Sequence, residues 1–430
     1  MVFHMNVAPF IIHAVFLMQI LFLFLDVSQS VVKIGLIVVV LFLFLLALVR
    51  RSEILKWTWK SGYETGLVFL SYYMVMLSLG FVYGYSFSYV AVNIMFLLPL
   101  FIVLFIPRNI NTTEILNIIL FYAGVSLLFS FVELIAWKDI GWIHSMVLES
   151  IDEYGRSKIY SDEHGVKAFG FFYNAVSNGL LLVFGLIISL ERLSHKFKWY
   201  YLLLLILFVI FIYFTYTRNN YLTLFFVFIF WGILSKAKMF NFHETTWRLA
   251  LLFYIITMIS ALVVAIKMGG GITLDSFTGD SVQSRVVSWG IILTDYFITK
   301  VGSIHMLFGF GLTQLENEFS PEKTYWAIDN SILMVYLSSG VVGVLLFLSW
   351  LKSALNLLHR NYLIVDSTEQ MNIRIITIAL MAYFINGVMN ATILSVTFLL
   401  PLIILISKYA RQETILRRKF LPKVMVMNHE

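Results

Sequence analysis

The chain predicts an all-α polytopic membrane protein, with about twelve transmembrane helices in a single integral domain over residues 1–430. Three observations predict it. Apolar residues make up 60% of the sequence and charged residues 13%, against about 45–50% and about 25% in soluble globular chains. Apolar stretches recur along nearly the whole length, many of them near the roughly 20 residues a helix needs to cross about 30 Å of hydrocarbon. The stretches are continuous, without the short apolar–polar alternation of a transmembrane barrel.

The spans are expected at 8–25, 31–49, 65–84, 88–106, 114–135, 172–190, 199–215, 220–235, 249–267, 331–351, 374–390 and 393–407. The first has no small-residue cleavage site and leads straight into the second, so it reads as a retained span and not a signal peptide. Lys and Arg set the sidedness of such a chain. They cluster in alternate loops: Arg50, Arg51, Lys56 and Lys60; Arg192, Lys196 and Lys198; Lys236, Lys238 and Arg248; and, in the tail, Lys408, Arg411, Arg417, Arg418, Lys419 and Lys423. These loops share the cytoplasmic side only if both termini are cytoplasmic, and an even number of spans agrees with that. Two large loops, 137–171 and 268–330, then face outward and carry many of the acids. Long loops in a compact protein call for function or disorder. These two hold aromatics and short helical runs, so the chemistry is expected there.

Several functions are excluded. With no cysteine there is no disulfide or thiolate chemistry. The net charge of +6 reflects membrane orientation and not nucleic acid. The cytoplasmic loops are short and lack a glycine-rich nucleotide motif, which argues against an ATP-driven pump or a cytoplasmic nucleotide-sugar enzyme. No histidine-and-acid cluster has metal-ligand spacing, so no metal is expected.

Candidate site residues stand at the outer ends of spans. Arg218, in "YFTYTRNNYL", opens a helix where the dipole disfavours a cation. It is either a snorkelling charge or a cation that meets an anionic ligand beside free helix-start amides. Arg285 and Trp289 are four residues apart, on one helix face. They read as a surface pair or as a clamp, with the guanidinium on a diphosphate and the indole on a sugar or isoprenoid. Lys167 and Asn174 precede the sixth span in "KAFGFFYNAVSNG", with Arg156 and Lys158 as weaker cations of the same kind. Asp329, in "AIDNSILMVYLSSGVVGVLLFL", is a natural helix cap, a group that orients or deprotonates a hydroxyl, or both. Glu316, Glu318 and Glu322 compete for the role of base.

Taken in order, these segments resemble the O-antigen and capsular polysaccharide polymerases, which share a superfamily with the O-antigen ligases. "KAFGFFYNAVSNG" resembles that family's basic residue, glycine and Asn-Pro-Asn-like entry to a span. "TYTRNNYLTLFF" resembles its Ser/Thr-Arg helix start, and "SRVVSWGIILTDYF" its Arg-x-x-x-Trp outer loop. "LFGFGL", followed by the Asp329 segment, resembles its Gly-x-Gly and Gly-x-x-Gly ending. The likeness runs from about Lys167 to Leu348. Lys167 stands where arginine is common, Ala175 breaks the Asn-Pro-Asn pattern, and Asp329 stands where ligases commonly carry histidine.

The resemblance implies a GT-C-like multi-span glycosyltransferase in the plasma (inner) membrane. It would polymerise polyprenyl-diphosphate-linked repeat units into O-antigen, capsular or exopolysaccharide. With it, Asp329 and Arg285 are expected to be catalytic and Arg218, Lys167, Trp289 and Asn174 to bind substrate; Arg156, outside the likeness, is expected to bind substrate on the reading of the residues alone. No cofactor is called for. The partners are lipid-linked donor and acceptor glycans, the bilayer and a chain-length regulator protein, with no nucleic acid. The alternatives are ligase-type transfer to another acceptor, a flippase or other transporter, and a scaffold for polysaccharide assembly.

Overall fold

A computed structural model describes residues 7–24, 64–79, 110–141, 143–144, 147, 160–161, 165–172, 174–236, 303–311, 314–316, 325–327, 331–388 and 397–410, with single residues between 248 and 263. In chain order its elements are α1 (Val7–Phe24), α2 (Glu64–Ser78), α3 (Thr112–Ala136), β1 (Tyr160–Ser161), β2 (Gly165–Val166), α4 (Ala175–His195), α5 (Trp199–Phe214) and α6 (Arg218–Lys236). There follow α7 (Ile304–Phe308), β3 (Gln314–Glu316), β4 (Tyr325–Ala327), α8 (Ser331–Tyr362), α9 (Ser367–Val388) and α10 (Thr397–Ala410).

The chain is mostly helical. Among the described residues, α3, α4 and α8 are long and apolar enough to cross a membrane. Nine of the twelve expected spans coincide with a described helix. The second and fourth, 31–49 and 88–106, lie outside the described residues, as does most of the ninth. Two antiparallel hairpins, β1–β2 and β3–β4, depart from a purely helical reading, and both fall in the expected outer loops.

Local sequence sets the helix starts. Asn111 caps α3, accepting the Glu114 N–H at 3.3 Å. Asp366 does the same before α9, accepting the Glu369 N–H at 2.9 Å. Both caps carry glutamate at the third helical position, where an acid also complements the dipole. The connections 196–198, 215–217 and 363–366 are short, so α4–α5, α5–α6 and α8–α9 are antiparallel neighbours. α2 runs antiparallel to α8, with Phe69 against Phe347 and Trp350 and with Tyr73 bonded to Ser338.

At one end of the bundle lies a layer of ion pairs. Arg374 on α9 meets Glu191 on α4 at 2.8 Å. Lys408 on α10 meets Glu369 at 2.7 Å and also donates to the Thr112 hydroxyl. Arg192 donates to the Tyr201 hydroxyl at 3.4 Å. The basic residues grouped on one side from sequence, Arg192, Lys196, Lys198 and Lys408, therefore share this end. The candidate site lies at the opposite end.

Candidate functional site

The site begins with a polar stripe on α3. Ser126, Ser130 and Glu133, spaced i, i+4 and i+7, share one helical face, and all three are fully buried. They meet the turn 167–172, which enters the bundle ahead of α4. Glu133 Oε2 accepts the N–H groups of Phe169 at 3.0 Å and Gly170 at 2.9 Å. Asn178, in the first turn of α4, donates to Ser130 Oγ and to the Ala168 carbonyl, both at 2.9 Å, and accepts from the Ser126 hydroxyl at 2.7 Å. The Ala168 N–H donates to the Phe214 carbonyl at the end of α5, at 2.9 Å.

Irregular backbone inside an apolar bundle needs partners of this kind, because an unpaired peptide group has no water to turn to. Gly170 has φ +60, and a Cβ there would collide with Ser126 Oγ and Asn178 Oδ1, so the turn closes only around glycine. Phe171 anchors it, its ring 6.3 Å from Phe16, 6.4 Å from Tyr122 and 6.3 Å from Phe129.

A second irregular segment joins α5 to α6. The Thr215 hydroxyl donates to the Ile212 carbonyl at 2.7 Å, so at the 3.0 Å Thr215–Thr217 contact Thr217 is the donor. The amide of Asn220, fully buried, reaches Thr215 Oγ1, Thr217 Oγ1 and the Ala175 carbonyl that opens α4. Asn386, near the end of α9, donates to Asn220 Oδ1 at 3.2 Å and to Thr223 Oγ1 at 3.3 Å. Tyr216 has φ +47, an uncommon conformation for a residue with a side chain. Tyr213 stacks on Tyr221 at 5.9 Å, with Tyr216 5.8 Å from Tyr213. Between these tyrosines in sequence stands Arg218, exposed at the first position of α6.

The third segment interrupts α8. Gly340 has φ +65 and ψ −167; it divides α8 into a half-helix, Ser331 to Ser339, buried from Ile332 on, and a long helix from Val341. Gly309, at φ +86 and ψ −176, packs against the break. Only glycine uses this backbone region freely. The break releases carbonyls that α8 would otherwise bond, and each finds a donor. Phe310 N–H serves Leu337 at 2.7 Å, Gly311 N–H serves Ser338 at 3.1 Å, and the Tyr72 hydroxyl serves Ser339 at 3.0 Å. The ring of Phe384 on α9 stacks on Phe347 at 6.3 Å. Gly340 lies about two turns from Phe347, roughly 10 Å toward the start of α8. The break is therefore at the same end as Asn386 and the two turns.

Of the residues singled out in the sequence, Lys167, Asn174 and Arg218 stand on these two mutually bonded segments. Lys167 precedes Ala168, bonded to Phe214; Asn174 precedes Ala175, bonded to Asn220 two residues after Arg218. Asn174 Oδ1 caps α4, accepting the Val176 N–H at 2.9 Å, so the helix already employs its side chain. Arg285, Trp289, Arg156, Lys158, Asp329, Glu318 and Glu322 lie outside the described residues, and Glu316 lies on β3. The expected tenth span, 331–351, is part of a longer helix broken at Gly340, and the sixth begins at Ala175, after the buried turn. The sequence reading missed Ser126, Ser130, Glu133, Asn178, Asn220 and Asn386. The spacing of two serines and a glutamate on one face of an apolar span was the available signal.

Lys167 is half-buried, and loss of water lowers the pKa of its ammonium group below the ordinary lysine value. The folded state then holds this proton less tightly than the unfolded state. Lys167 therefore disfavours folding at neutral pH, and stability rises as pH climbs through the window just below about 10.4. Where the lysine holds an anion, the rate behaves oppositely, falling over that window as the charge is lost. Lys167→Arg is expected to push this alkaline limb upward, because guanidinium stays charged. A rate profile taken from neutral pH to about pH 11 checks it; an unmoved limb assigns the titration to another group.

No protein-family model matches the chain, and no curated protein matches it.

Proposed function

We propose that this chain polymerises polyprenyl-diphosphate-linked oligosaccharide repeat units at the outer face of the plasma membrane. The observation that carries the reading is that three irregular segments far apart in sequence lie at one end of the bundle: 167–174 tied by hydrogen bonds to the segment around 214–220, and 307–311 packed on the break at 337–340. Each is irregular backbone inside a helical bundle. Each also holds one of the stretches that resemble the polymerase family. A membrane protein tolerates such backbone only where it is buried in protein or lines a water-filled cavity, and here it carries the cations Lys167 and Arg218.

In this reading the acceptor hydroxyl oxygen attacks the anomeric carbon of the donor glycan. The bond from that carbon to the diphosphate oxygen breaks, and the lipid diphosphate leaves with the electron pair. Lys167 and Arg218, joined by Arg285 from the loop 268–330, stabilise the charge that gathers there. Asp329 orients the hydroxyl and takes its proton, while Trp289 and Arg156 contact the substrate. The donor arrives already activated, so no nucleotide or cofactor is used. Twelve spans with both termini cytoplasmic put the ion-pair end on the inner side, where a chain-length regulator partner would be reached through the bilayer.

The lipid-linked glycans of a deletion strain test the reading. Single repeat units accumulating on the lipid support it. Complete chains left unattached identify a ligase, and repeat units missing from the outer leaflet identify a flippase. In cells that carry the protein, a cysteine placed at Ser276 is expected to react with an impermeant thiol reagent from outside. For Asp329, asparagine preserves the helix cap but not the carboxylate. Asp329→Asn is therefore expected to lose polymerisation while accumulating normally in the membrane. A rate within about twofold of the parent leaves only the capping role.

A further inference from the structure

We propose that Glu133 is a positioning residue, the group that fixes the turn 167–172 and through it presents Lys167 to an anionic ligand held jointly with Arg218; this rests on the diphosphate reading of the site. Glu133 is fully buried three residues from the end of α3. Nothing in the packing of an apolar span calls for a carboxyl group there, and such a group is costly to place in a membrane bundle. It is accounted for by what it binds. One oxygen, Oε2, accepts two consecutive backbone N–H groups, those of Phe169 and Gly170. Both lie within three residues of Lys167. The other oxygen, Oε1, is buried without a hydrogen-bond partner among the described residues.

The turn is fixed from three directions. Glu133 holds its amides, Asn178 holds the Ala168 carbonyl, and the Phe214 carbonyl holds the Ala168 N–H. The last bond ties it to the segment that carries Arg218. Asn178 is in turn held by Ser126 and Ser130 of α3, so it ties the turn to that helix indirectly. Among the described residues, Glu133 is the α3 side chain bonded directly to the turn's own amides. With Glu133 removed, two buried amides lose their acceptor. The turn would then open to regain partners for them, carrying Lys167 away from its setting. Charge placed within an ångström or so decides how well a bound diphosphate is held.

Three variants separate the possibilities. Glu133→Gln keeps a side-chain oxygen that accepts both amides. Glu133→Asp keeps the carboxyl but is one methylene too short. Glu133→Ala removes the acceptor; where it fails to accumulate, Glu133→Asp carries the test. Two measurements on purified protein in detergent are used. In the first, Lys167→Cys reports on the turn through its rate of reaction with a maleimide, on an otherwise cysteine-free chain. Adding Glu133→Asp or Glu133→Ala is expected to speed labelling about fivefold or more, and Glu133→Gln to leave it within about twofold. Equal rates in all of them overturn the proposal whatever the ligand.

In the second, farnesyl diphosphate is titrated into proteins that retain Lys167. Binding is expected to weaken about tenfold in Glu133→Asp and Glu133→Ala and to hold in Glu133→Gln. Faster labelling with unchanged affinity makes Glu133 merely structural and overturns its role in positioning. A parent protein that binds no farnesyl diphosphate overturns the diphosphate reading and this role with it, while the labelling rates still decide whether Glu133 holds the turn.

Discussion

Replacing Arg218 by alanine is expected to abolish long polysaccharide chains and leave single lipid-linked units, with the protein still present in the membrane at its normal level. The expected fall in rate is about 100-fold, the scale of losing one positioned donor to a developing negative charge. Folding is not at risk, for physical reasons. Arg218 is exposed and begins α6, where a positive charge opposes the helix dipole. Removing it relieves that opposition, so thermal stability is expected to hold or rise slightly. The ties that fix the segment come from Thr215, Thr217 and Asn220 and survive the change. Lysine at 218 is expected to recover only a small part of the rate, because an ammonium group lacks the planar fork that grips two phosphate oxygens. The measurement is the length distribution of lipid-linked glycans on a gel, beside an immunoblot of the membranes. A ladder of normal length from Arg218→Ala would remove this residue from the site.

The second large effect is on folding. Gly340→Ala is expected to destabilise the protein by about 3 kcal/mol, from backbone strain of about 1–3 kcal/mol together with a steric collision. Its φ of +65 and ψ of −167 belong to glycine, and an added Cβ would strike the Leu307 carbonyl oxygen. A backbone atom cannot swing aside as a flexible side chain can. Relief requires the 307–311 segment to lift, which strips Leu337 and Ser338 of the Phe310 and Gly311 amides. Gly124→Ala is the control. It lies within α3 with nothing within 4 Å of its added Cβ, so it is expected to be neutral or stabilising by about 0.5–1 kcal/mol. Thermal unfolding of the two purified variants in one detergent makes the comparison. Equal midpoints would show that the break at Gly340 tolerates a side chain.

How much of this was legible in the sequence depended on whether the signal was local. Helices in lipid are written in long apolar runs, and most of the expected spans coincide with described helices, three of them long and apolar enough to cross a membrane. Helix starts were read less well: the sixth and eleventh spans were expected from 172 and 374, whereas the helices begin at Ala175 and Ser367, behind the capping side chains of Asn174 and Asp366. That Lys167, Asn174 and Arg218 stand on mutually bonded segments was legible only as an order of motifs, since it depends on bonds between α4, α5 and α6. Glu133 and Asn178 were not recognised, because each becomes meaningful through a partner tens of residues away. The break in α8 was hidden by its own composition. Gly340 sits in an apolar stretch that reads as one continuous span, and nothing beside it shows that Gly309 packs there.

The polar stripe of α3 also bears on how the chain is made. α3 reaches the insertion machinery before α4 exists, carrying Ser126, Ser130 and Glu133 with no partner yet synthesised for them. Asn178, which satisfies the two serines' face, emerges 45 residues after Glu133. At roughly 5–20 residues per second that interval lasts on the order of seconds. During it the carboxyl group must find water, the headgroup region or another protein. Retention beside the insertion machinery until α4 arrives would give α3 such a shelter, so that α3, the turn and α4 leave for the lipid as one unit. A ribosome stalled before Asn178 would then hold α3 against the translocation channel, within reach of a crosslinker, where a chain carrying Glu133→Leu would already have moved into lipid.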